Sequence, residues 1–156
     1  MAKKIFPRKM TALCVAQPWA FCIFKKGKNV ENRKRSLKKR GTIAIYVSAN
    51  IKKSRFLECR DECGIDLKPD KMVYGAIIGF VDIVEVIRKK DVVKNTREWF
   101  AGPYGYVLKN AIYFKKPVFV RPPNGAVIFW HLRGPELKKC LKQISQKRRN
   151  RFIPFE

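Results

Sequence analysis

A chain of 156 residues with 46% apolar and 12% aromatic content is long enough to bury a core and too apolar to be intrinsically disordered. Thirty-six Lys and Arg against twelve Asp and Glu leave a formal charge of +24 and an isoelectric point near 10.3. So positive a field calls for a polyanion, nucleic acid first and an anionic membrane surface second. The five cysteines are odd in number and none sits in C-x-x-C spacing, so reduced, mostly core thiols are expected and a zinc site is not. No apolar run approaches the roughly 18 residues of a membrane span, and none follows the basic start as in a signal peptide. The expected place is the cytoplasm, or the nucleus if the source is eukaryotic or viral.

In chain order, residues 1–10 read as a basic N-terminal arm and 11–16 as a short buried strand. Gln17-Pro18 stops that strand, and 18–26 reads as a largely buried helix with Pro18 in its first turn and Gly27 as its C-terminal cap. The stretch 27–33, GKNVENR, is a poor recipe for core and a good one for a site. It reads as a short strand whose Asn29, Glu31 and Arg33 point one way and whose Val30 and Asn32 point the other, with Lys28 where the strand begins. If the charged face looks into a cleft, Glu31 and Arg33 must pair with each other or with a ligand, because an isolated buried charge is costly. The plainer alternative is an exposed strand with a surface ion pair.

From Lys25 to Arg40 nine cations stand against Glu31 alone. Residues 42–49 read as a buried strand, and 50–63 as a helix ended by Gly64. Residues 73–87 read as the longest strand, with Gly75 and Gly79 marking a bend. Gly102, Pro103 and Gly105 predict a turn with Tyr104 at its tip. A strand over 105–114, a short edge strand over 118–121 after Pro117, and a closing strand over 126–132 follow. The last expected element is one amphipathic helix over 135–150, basic on its outer face and carrying Leu137, Cys140, Leu141 and Ile144 on its inner one. His131, the single histidine, reads as a hydrogen-bonded structural residue. Many short strands with Gly and Pro between them predict an α+β, mostly β fold, a small β-barrel with three or so peripheral helices. The organisation expected is an arm over 1–10, a barrel domain over 11–134, and a basic helix and tail over 135–156 packed on the same domain.

QPWA at 17–20, a short helix, GKNVENR, then Arg40-Gly41 and TIAIYVSA stand in an order that resembles the ASCH domain of the PUA-like superfamily. YGAIIGFVDIVEV at 74–86, GPYGYVL at 102–108 and GAVIFWHL at 125–132 agree. The resemblance covers about Ala12 to Leu132 and implies a PUA-like pseudobarrel with helices closing its ends. It also implies a key lysine at Lys28 in those small relatives that hydrolyse an acylated pyrimidine nucleoside. Those relatives carry a threonine three residues on, where this chain has Glu31.

The leading functional reading is nucleic-acid binding, RNA before DNA, with a polar cleft for a base or nucleotide formed by Gln17, Trp19, Lys28, Glu31, Arg33 and Tyr104. Gln17, Asn32 and Asn124 have the paired donors and acceptors that read a base edge. The phosphate track is assigned to Lys34, Arg35, Lys38, Lys39, Arg40, Lys147, Arg148, Arg149 and Arg151. The alternative is a small hydrolase acting on RNA or a modified nucleoside, with Lys28 and Glu31 as catalytic residues. A membrane-surface role ranks last, because the 135–150 helix lacks bulky apolar anchors. No metal and no cofactor are expected, a free nucleoside is a possible ligand, and the chain is expected to be a monomer.

Overall fold

The computed structural model describes residues 7–125 and 128–156. Six strands form one sheet in the order β2-β5-β4-β3-β1-β6. They are β1 (Lys9–Val15), β2 (Val30–Arg33), β3 (Gly41–Val47), β4 (Ala76–Ile87), β5 (Tyr104–Phe119) and β6 (Phe129–Arg133), with helices α1 (Trp19–Lys25), α2 (Lys53–Cys63), α3 (Gly134–Lys142) and α4 (Gln146–Arg149). Only β1 and β3 pair in parallel. The fold is α+β and mostly strand: a curled half-barrel with a few helices.

The curl is visible in one contact. β2 lies at one edge of the sheet and β1 next to the other, yet the Arg33 guanidinium of β2 donates to the Cys14 carbonyl of β1 at 2.7 Å. Bends in the two long strands make this possible. The β4–β5 register shifts at three places, one of them beside Gly79. A Cβ on Gly79 would lie 2.3 Å from the Ile112 carbonyl oxygen, so the strands approach there as only glycine allows. Gly75 precedes β4, at φ +68°, and turns the chain into it.

Apolar side chains pack on both faces of the sheet. All seven residues of β3 are buried. Met10, Ala12, Tyr46, Phe80 and Trp130 form one cluster with the Leu137, Cys140, Leu141 and Ile144 stripe. Leu13, Val15, Ile43, Ile45, Val81 and Tyr106 form the other, against α1. Each fully buried side chain of this kind contributes about 1.5–3 kcal/mol.

Several boundaries differ from expectation. The arm is shorter, since Lys9 and Met10 already belong to β1; its residues 1–6 lie outside the described residues, as do 126 and 127 of the closing strand. Pro18 is the N-cap of α1 and not a first-turn residue. The strands expected at 105–114 and 118–121 are one strand, β5. β2 covers only Tyr104–Val107, so around Pro117 the chain pairs with β4 alone and the missing N–H costs no ladder bond. The helix expected over 135–150 is two, α3 and α4. Between them the Gln143 side chain accepts from the Lys116 amide at 2.9 Å and donates to the Lys116 carbonyl at 2.7 Å, and the Ser145 hydroxyl caps α4 by accepting from the Arg148 amide at 3.3 Å. His131 is exposed, because alternation along β6 turns Trp130 and Leu132 inward and His131 outward.

Candidate functional site

The alternation in β2 sorts its side chains as the sequence predicts. Val30 is fully buried against Cys22, Cys59 and Trp99. Asn32, on the same face, is a latch: it donates to the Trp99 carbonyl at 2.9 Å and accepts from the Ala101 and Gly102 amides at 2.8 and 3.1 Å. Its amide is therefore committed to the 99–102 turn and not offered to a base. That turn ends early as a result, and Tyr104 is the first residue of β5, half-buried, rather than an exposed tip.

On the other face, Glu31 stands opposite Tyr106 and Arg33 opposite Tyr104 in the antiparallel register, so the four side chains share one face. Arg33 Nε lies 3.4 Å from Glu31 Oε1. Glu31 is 8% exposed, and its second oxygen, Oε2, is buried without a hydrogen-bond partner. A buried carboxylate oxygen left open in this way costs about 1–3 kcal/mol or more and keeps the capacity to accept a further donor. Tyr106 was missed by the sequence reading. Its hydroxyl donates to the Arg35 carbonyl at 3.0 Å and so anchors the basic loop to the site; burial pushes its phenol up, with Arg33 opposing and Glu31 adding.

The remaining residues expected to line a cleft divide. Gln17 is buried and used at both ends, donating to the Val73 carbonyl at 3.1 Å and accepting from the Phe21 amide at 2.9 Å. Trp19 is half-buried at the start of α1. Lys28 is 5% exposed; its ammonium donates to the Val30 carbonyl and stands 5.6 Å from the Trp19 ring centre and 5.4 Å from that of Trp99. The Lys28 ammonium is thus committed to a backbone carbonyl, whereas the Glu31 carboxylate is paired with Arg33. Asn29 donates to the Asn95 carbonyl at 2.8 Å, and Asn124 is exposed on the 124–125 turn.

The C-terminal segment runs beside the end of the basic loop. Residues 153–156 lie along the start of β3: Thr42 N–H donates to the Ile153 carbonyl at 2.9 Å, and Arg40 and Glu156 exchange backbone bonds at 3.0 Å. Lys34, Arg35, Lys38 and Lys39 are exposed, whereas Arg40 turns its guanidinium onto the Leu37 and Lys39 carbonyls of its own loop. Lys39 and Arg149 line one groove of about 520 Å³ together with Lys9 and His131. Partial burial, then Lys9, Arg133 and Lys39, push the His131 imidazole below its usual range. Arg148 and Arg151 line a second cavity of about 380 Å³, and Lys147 is exposed beside them.

No helix among the described residues is long and apolar enough to cross a membrane. The chain matches no protein-family model, and comparison with curated proteins found no match to it.

Proposed function

We propose that this chain is an ASCH domain of PUA-like architecture that binds nucleic acid, RNA in preference to DNA, and holds a base or nucleotide against Glu31 and Arg33. One observation carries the reading. The loop 34–40 leaves directly from the Glu31–Arg33 strand, and Arg149 of the C-terminal segment lines the same groove as Lys39. In this reading phosphate contacts supply affinity and a polar, aromatic-walled cleft supplies selectivity, and the departure of the basic loop from β2 supports it. The open Glu31 oxygen fits a base N–H, and the half-buried Tyr104 and Trp19 are suited to stack. The hydrolase reading has less support, because Lys28 is committed to the Val30 carbonyl and Glu31 is already paired with Arg33.

The test is a titration with single-stranded RNA, duplex RNA and single-stranded DNA at several salt concentrations. Preference for single-stranded RNA that survives near-physiological salt is the expected result. Equal affinity for all three that collapses with salt would reduce the protein to a polycation and overturn the cleft's part in binding.

A further inference from the structure

Asp82 is the one buried carboxylate besides Glu31 among the described residues, and the site proposed above does not use it. It sits at the wall of the 380 Å³ cavity, a volume within the roughly 300–1,000 Å³ of small-ligand sites. The Thr42 hydroxyl donates to Oδ1 and the Asn110 amide donates to Oδ2 at 2.9 Å. A carboxylate offers about four acceptor positions, so each oxygen keeps capacity for one more donor. None of the ion pairs between described residues includes Asp82. Yet Arg148 and Arg151, both exposed, line the same cavity.

The backbone is bent to make this arrangement. The β4–β5 register shifts between Phe80 and Asp82, and Asn110, across that irregularity, takes a left-handed φ of 56° that only a few residue types besides glycine tolerate. Bulges of this kind re-aim side chains and gather next to functional sites. Here the bulge aims an amide at a buried acid. Phe80 and Phe152, ring centres 5.1 Å apart, supply the cavity's aromatic side.

A ligand matching this cavity presents two neighbouring N–H donors to a carboxylate and an anion to two guanidinium groups. Among the bases, guanine carries adjacent N1–H and N2–H donors on its Watson–Crick edge, whereas adenine and cytosine carry a single amino group there. We propose that this cavity is a guanine-nucleotide subsite in which Asp82 receives N1–H and N2–H while Arg148 and Arg151 hold the phosphate. The subsite is separate from the Glu31–Arg33 cleft and stands whether or not that cleft takes a base.

Calorimetric titration of the full chain with GMP, IMP, AMP and guanosine tests it. GMP should bind tightest. IMP, which lacks the 2-amino donor, should be weaker by about 10- to 100-fold, the worth of one hydrogen bond to a charged group, and AMP weaker still. Guanosine should lose the arginine contribution, and R148A/R151A should bring GMP down to guanosine's affinity. D82N should erase the preference for GMP over AMP, with its melting curve reporting whether it folds; if it does not fold, the wild-type base series alone decides. GMP and AMP binding equally, or no GMP binding at millimolar concentration, would overturn the assignment. A guanine-containing oligoribonucleotide that displaces GMP identifies the ligand as a strand's guanine; one that fails to displace it identifies the free nucleotide. Guanine selectivity without any RNA binding would leave this subsite intact and remove the reading of the protein as an RNA binder.

Discussion

The Thr42 hydroxyl accepts the Ile153 amide at 2.9 Å across 111 positions of the chain, and the same oxygen donates to Asp82. One side chain therefore ties the tail, the start of β3 and the buried acid of β4. Thr42→Val keeps the shape and removes the hydroxyl, leaving a buried carboxylate oxygen and the Ile153 amide short of a partner. The expected loss is about 1–3 kcal/mol in urea denaturation, together with faster exchange of the Ile153 amide. A loss below about 0.5 kcal/mol would mean that water replaces the hydroxyl without penalty.

Gly41 controls the same seam from the backbone. It adopts φ +136°, and a Cβ there would lie 2.3 Å from the Pro154 carbonyl oxygen. Gly41→Ala forces the tail away in addition to straining the residue itself. Limited proteolysis should cut the variant after Arg151 faster than the wild type, and the affinity for RNA should fall because Arg149 no longer lines the groove with Lys39. Proteolysis unchanged from wild type would show that the tail shifts without detaching.

The polar strand was legible in the sequence because its pattern is local. Alternation over Val30–Arg33 separates an apolar-side residue from a charged one within four positions, and of the two partners left open for Glu31, Arg33 or a ligand, the structure shows Arg33. Gln17 and Asn32 were read as groups for a base edge and not as latches, because the Val73 carbonyl and the 99–102 turn that hold them lie 56 and 67–70 positions away. The same limit hid Tyr106, whose hydroxyl reaches a carbonyl 71 positions off, and the seam that joins residues 153–156 to the start of β3. Pro117 misled for a different reason: proline breaks a strand only where its N–H is needed, and the sheet order that leaves β5 free there cannot be read from local residues.

Arg33 holds the only counter-charge within ion-pair distance of Glu31 among the described residues. Removing one partner of a buried pair costs more than removing both, since the remaining charge is left uncompensated. Arg33→Ala should destabilise the protein by about 3–5 kcal/mol, part of it from the lost bond to the Cys14 carbonyl. Adding Glu31→Gln should recover a substantial part of that loss in a double-mutant cycle. Strict additivity of the two changes would show that the pair is too wet to couple.

Loop charge is separable from the cleft. Arg35 and Lys38 are exposed and make no side-chain ion pair among the described residues. Arg35→Ala with Lys38→Ala should flatten the dependence of log affinity on log salt by close to two units, about one per lost phosphate contact, while leaving the preference between RNA and DNA unchanged. An unchanged slope would assign these residues to the solvated surface.

The thiols give a readout of the core itself. Burial, then the neighbouring Cys59, pushes the Cys22 thiol up to about 12, and burial pushes Cys140 up to about 12, whereas Cys63 is exposed at the end of α2. Cys22 and Cys59, with sulfurs 4.0 Å apart, back the Val30 side of the polar strand. In the unfolded chain a thiol ionises near 9, so above that pH the unfolded state loses protons that the folded state keeps. Stability must therefore fall as pH rises from about 9 toward 12, and these two thiols contribute no pH dependence below about 8. Iodoacetamide at pH 7.5 should label Cys63 first and reach Cys22 and Cys140 only on unfolding, as peptide mass spectrometry would resolve. Early labelling of Cys22 in the folded protein would mean that the wall behind Val30 opens, and with it the support on which Glu31 and Arg33 stand.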